Sequence, residues 1–191
     1  MKKILKITAI SAILLMFIGS LTSCSGKEER LPPEQIASNL AQKGSIDPKH
    51  LIGEWDIVRF ANTIDGNNIS IGSAISINAN LTIAVPVSLY YGCSTKKIDF
   101  MWFLSTTAGK INFCCSLLGN LIDITRGPGS MVFVMPPHET YDIEFAIANA
   151  RSFVIKNNEL MIYFRGDEKL WKDYFAIKEP KNLLILKRRE P

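Results

Sequence analysis

The stretch Leu51–Phe60, LIGEWDIVRF, decides how the rest of the chain is read. Trp55, Ile57 and Arg59 alternate with Asp56, Val58 and Phe60, the period of a half-buried strand, so the folded body begins here with its first strand. Ile64–Asn68, IDGNN, has the chemistry of a chain reversal. Beyond it, ISIGSAISINANLTIAVPV (69–87) alternates β-branched residues and is broken by Gly72 and Pro86. That predicts a hairpin whose second strand lies at an edge or a bulge. In KKIDFMWFLST (96–106), Phe100, Trp102 and Leu104 face one way and Met101 and Phe103 the other. Both faces must then be covered, as in a central strand or a strand beneath a helix. GKINFCC (109–115) reads as a short strand.

Between Ser116 and Pro137, apolar runs mix with Gly and Pro, and the reading is a loop with one short strand around SMVFVM. ETYDIEFAIANA (139–150) is the main helix, with Tyr141, Phe145 and Ala148 on one apolar stripe and Ile143, Ile147 and Ala150 widening it. Thr140 or Glu139 caps its start. RSFVIK, the turn NNE, LMIYF and, after the charged segment RGDEKLWKDY, NLLILKR supply three closing strands. The expected fold is α+β: an antiparallel, strongly curved sheet of about seven or eight short strands with one main helix packed on it.

The N-terminus predicts a location. Lys2, Lys3 and Lys6 precede ITAISAILLMFIG, the order of a secretory signal, and the run is short of the ~20 residues a bilayer span needs. Leu21-Thr22-Ser23-Cys24 resembles the bacterial lipobox, which implies a signal peptide over 1–23, lipid on Cys24 and a tether over 24–48 before a domain over 49–191. Ser25 favours the outer membrane, with the domain periplasmic or surface-exposed. Glu28 and Glu29 resemble the acidic surface-export tag of Bacteroidetes lipoproteins. Within the tether, PEQIASNLAQKG predicts a short helix from Pro33 to Gly44 that docks loosely or not at all. Setting residues 1–23 aside removes three lysines and lowers the net charge from +4 to about +1, so nucleic acid is not an expected partner. The membrane, reached through the lipid, is.

Cys93, Cys114 and Cys115 remain for disulfides. Adjacent cysteines rarely bridge each other, so the open pairings are Cys93 with Cys114 or with Cys115; three buried thiols packed as small apolar groups is the alternative. No C-x-x-C occurs and His50 and His138 stand alone, so no metal and no cofactor is expected. The chain lacks G-x-S-x-G, H-E-x-x-H and G-x-x-x-x-G-K-[ST], and charged neighbours such as Asp142 and Glu144 read as solvated, so no enzyme is expected. Leu170, Trp171 and Tyr174 cluster at helical spacing in a charged segment and form a candidate partner surface.

LIGEWDI, YGCS (91–94), ITR (124–126) and HETYDIEFAIANARSFVIKNNELMIYF (138–164) follow the order of the META domain, and the chain resembles that family of heat-inducible and motility-associated bacterial envelope proteins. Ser94 stands where the family has Asn, and GPGSM follows "TR" without a cysteine. If the family's two cysteines pair, Cys114 or Cys115 must replace the usual partner of Cys93. The resemblance implies a lipid-anchored, non-enzymatic protein with a structural, interaction or stress-related role and other envelope proteins as partners. L-x-G-x-W also resembles the start of many lipocalin-type domains, which implies instead a barrel carrying a small apolar ligand.

Overall fold

The computed structural model describes residues 31–41, 47–86, 98–127, 131–132, 138–165 and 181–190. The strands are β1 (Gly53–Ala61), β2 (Ser73–Ala74), β3 (Asn80–Ala84), β4 (Phe100–Thr106), β5 (Gly109–Leu118), β6 (Leu121–Arg126), β7 (Met131–Val132), β8 (Ala150–Lys156), β9 (Glu159–Phe164) and β10 (Leu183–Arg188). Two helices, α1 (Pro33–Ala41) and α2 (His138–Ala148), and a 3₁₀ turn at Pro48–Leu51 accompany them.

Each long strand pairs antiparallel with the next one in the chain, β1–β3–β4–β5–β6–β8–β9–β10, and β10 then pairs with β1, Ile57 opposite Leu186 and Phe60 opposite Leu184. The curved sheet therefore closes into an eight-stranded barrel, with β2 and β7 as two-residue additions on β1 and β5. Closure removes the open sheet edge that a flat arrangement would expose. Alternation fills the inside: Trp55 lies in register with Leu81, Leu104 and Ile111, and Ile83 with Trp102 and Phe113. Eight strands make an interior that such side chains can fill.

This ring overturns the META assignment. The arrangement is an up-and-down closed barrel of lipocalin-like type, and the residues behind the resemblance are an opening strand and a hairpin that such a barrel also needs. The lipid-anchored META-type envelope role that depended on it is corrected with it. Lipid attachment at Cys24 lies outside the described residues.

Several local expectations change as well. β1 carries a bulge between Ile57 and Arg59: Val58 is 40% exposed, and the extra residue returns Phe60 to the face of Trp55 and Ile57. Gly72 comes so close to β1 that a Cβ on it would stand 1.8 Å from the Phe60 carbonyl oxygen. β3 is no edge strand, since it pairs with both β1 and β4. β5 runs on through Cys115 to Leu118, and Gly119, at φ 61°, turns the chain into β6 where a loop was expected.

The outer wall of β8, β9, β10 and the end of β1 is apolar too, carrying Val154, Met161, Tyr163, Leu183, Ile185 and Ala61. Helix α1 covers it with the fully buried Ile36, while the Ser152 hydroxyl donates to the Pro33 carbonyl at 2.7 Å and Arg165 meets Glu34 at 2.7 Å. The helix expected to dock loosely is thus part of the body. Two apolar faces also explain why LMIYF and LLIL read as unbroken apolar runs.

Candidate functional site

One end of the barrel is sealed. The Trp55 indole N–H donates to the Leu51 carbonyl at 2.9 Å, and the Arg188 guanidinium lies 4.3 Å from the Trp55 ring centroid. Arg188 also donates to the carbonyls of Ile52, at 3.1 Å, and His50. Gly53 has φ 136°, and a Cβ there would sit 2.9 Å from an Arg188 nitrogen. L-x-G-x-W thus encodes a plug: Leu51 fills the end, Gly53 leaves room for the arginine, and Trp55 receives its stacked cation.

The other end is covered by α2, which with β7 lies in the connection between β6 and β8. These two strands meet only at Leu121 and Ser152, backed by the Phe153 N–H to the Asn120 carbonyl at 3.0 Å. Helix α2 packs against β6, β9 and β10 and sends Ile143, Ala146 and Ile147 into the barrel core. Its fastenings are polar. The Glu139 carboxylate accepts from the Ser76 hydroxyl at 2.7 Å and from the Ser76 and Ile77 amides at 3.2 Å, and Arg126 meets Glu144 at 3.0 Å. The C-terminal end is tied by the Asn149 side chain, which donates to the Phe145 carbonyl at 2.9 Å.

The predicted stripe of this helix is half right. Ile143, Ile147 and Ala150 are buried, but Tyr141 is 46% exposed, and Thr140 and Asp142 are buried in its place. Neither Thr140 nor Glu139 caps the helix, which already begins at His138. The Thr140 hydroxyl oxygen and Asp142 Oδ1 have no hydrogen-bond partner, and the same holds for the indole nitrogen of Trp102 inside the barrel. Burial pushes the Asp142 carboxyl up to about 6; His138 pulls it back and Glu139 pushes it further. Sequence reasoning missed this group because a lone acid on a helix is usually solvated. The available signal was position: Asp142 is one turn from Ala146 and adjacent to Ile143, inside the arc that the apolar residues define.

The adjacent cysteines separate by strand parity. Cys114 faces out and is disulfide-bonded, its partner lying outside the described residues; Cys115 is free and faces in, opposite Phe100 and Ile124. Burial pushes the Cys115 thiol up, helped by the charges of Asp99 and Asp123, which makes it a poor nucleophile. Cys93 and the candidate surface of Leu170, Trp171 and Tyr174 also fall outside the described residues. Among the described residues no group of three or more His, Cys, Asp or Glu is placed to hold a metal ion, and no helix is long and apolar enough to cross a membrane.

No family model, no curated protein and no solved structure matches the chain. The architecture therefore speaks alone, and the class it defines is the lipocalin-like barrel: eight antiparallel strands in chain order, closed, lined with apolar side chains and plugged at one end by a tryptophan and an arginine.

Proposed function

We propose that this protein is a non-catalytic carrier whose barrel takes up a small apolar ligand at the end covered by α2. The observation that carries this reading is the asymmetry of the two ends. One is closed by a tryptophan, an arginine and backbone carbonyls; the other is covered by a helix whose named fastenings are side-chain bonds at or near the surface. Such bonds are weak in water, on the order of 0 to 1 kcal/mol for an exposed ion pair. A ligand that takes the place of Ile143, Ala146 and Ile147 recovers roughly 25 cal/mol for each Å² of apolar surface it removes from water. The interior is filled by the protein's own side chains, so uptake requires α2 to move outward.

The test is a titration of the full chain with N-phenyl-1-naphthylamine, an uncharged fluorophore that brightens in apolar surroundings. Saturable one-to-one brightening, with faster amide hydrogen exchange in α2 than in β1 and β10 of the free protein, is the expected result. No saturable signal, with α2 as protected as β1, would overturn the reading.

A further inference from the structure

Buried polar atoms without a partner are uncommon in native proteins, because each gives up the hydrogen bond it would make in water. Among the described residues, four of them lie on the outer wall or in turns: Glu34 on α1, Asn62, Asn120, and Tyr163 beneath α1. The other three, on Trp102, Thr140 and Asp142, belong to the barrel interior or to the helix that covers it.

Thr140 and Asp142 are 2% and 1% exposed and lie on the arc of α2 that carries Ile143 and Ile147 into the core. The helix sequence HETYDIEFAIA holds three carboxylates and neither Lys nor Arg. Two of the three are engaged. Glu139 takes the amides and hydroxyl of Ser76 and Ile77, and Glu144 takes Arg126. Asp142 alone keeps a buried acceptor oxygen, Oδ1, that no protein donor reaches.

The group that gains most from meeting such an oxygen is a hydrogen-bond donor of positive charge, since a charge-assisted bond is about twice as strong as a neutral one. A carboxylate head would face Asp142 and its acidic neighbours, and a neutral alcohol would leave the buried charge without a counter-charge. Resting on the carrier reading, we propose that the ligand is a cationic amphiphile, an apolar body with an N–H-bearing ammonium head that pairs with Asp142. The apolar body takes the room that α2 leaves when it moves outward.

The experiment is isothermal titration calorimetry of the full chain at pH 7.5 with n-dodecylamine, dodecan-1-ol and dodecanoate, each below its micellar concentration. The amine is expected to bind at least about tenfold tighter than either of the others, the equivalent of one charge-assisted bond. Asp142→Asn should erase that preference, whereas Asp142→Glu should keep it. Selectivity in the unaltered protein decides the matter even if a variant fails to fold. Equal binding of all three, or an amine preference that survives Asp142→Asn, would overturn the head-group assignment and leave the carrier standing. If none of the three binds and the naphthylamine does not bind either, the carrier reading itself fails and this inference falls with it.

Discussion

Trp55 and Trp102 stand in one apolar interior, both wholly buried, and their surroundings treat them in opposite ways. At the sealed end the Trp55 N–H has the Leu51 carbonyl and its ring has Arg188; Trp102, on β4, has an N–H with no acceptor. The same contrast holds between the covers. The 3₁₀ turn at the sealed end is capped by Asp47, whose carboxylate accepts from the Lys49 amide at 2.9 Å, and its carbonyls are taken by Trp55 and Arg188. The cover at the other end buries Thr140 and Asp142 unpaired. A cover whose turn is capped and whose carbonyls are taken, set against one that buries two polar groups unpaired, separates two jobs: the first holds the ring together, and the second is poised to do something else.

The largest expected effect tests the first half of that division. Trp55→Ala removes the stacked ring and the donor to Leu51 and leaves Arg188 without its aromatic platform, and should cost about 3–5 kcal/mol, read as a lower urea midpoint. A cost under about 1 kcal/mol would mean that the sealed end does not hold the barrel, and the contrast between the ends would break.

The covered end should respond next, through Asp142. Its folded-state carboxyl is raised from 3.8 to about 6, so the folded chain holds this proton more tightly than the unfolded chain does. The sign follows: the group's contribution favours folding at low pH and is lost as pH rises from about 4 to about 6. Asp142→Asn should therefore be more stable than the unaltered protein at pH 7, by roughly 1–3 kcal/mol, and the gap should close at pH 4. His138 and Glu139 are the other titrating groups that act on Asp142, and the difference between two proteins sharing both cancels their own titrations to first order. A gap that does not change with pH would place Asp142 in contact with water and remove the asymmetry from this end.

How far this division was legible in the sequence depends on which residue is asked. The inward row of β4 was plain, because Phe100, Trp102 and Leu104 alternate without a break. The Asn157-Asn158 turn was plain as well, since both residues take positive φ, 52° and 62°, as the hairpin requires. β6 was hidden: its only buried positions are Ile122 and Ile124, and Gly119 and Gly127 bracket it with loop signals. Closure was hidden too, because Ile57 meets Leu186 across more than a hundred residues and no local pattern reports that pairing. Of the candidate site, only L-x-G-x-W was visible, and without the position of Arg188 it could be attached to the wrong family. The burial of Asp142 depends on what covers the helix, which composition does not encode.

The finest test puts one substitution in two places. Trp→Phe keeps an aromatic ring and deletes the indole N–H. At Trp55 that leaves the Leu51 carbonyl without its donor and weakens the platform under Arg188, for an expected loss of about 1–2 kcal/mol. At Trp102 it deletes a donor that has no acceptor, so the relief from burying an unpaired group offsets much of the lost packing, and the net change should stay within about 0.5 kcal/mol. Chemical denaturation of the two variants side by side reads the difference directly, because the volume removed is the same in both. If Trp102→Phe costs as much as Trp55→Phe, the Trp102 N–H has a partner after all, such as an ordered water, and the interior is polar where the proposed ligand needs it dry. If the two costs separate as expected, the donor left unmet at Trp102 has the same standing as the acceptor left unmet at Asp142.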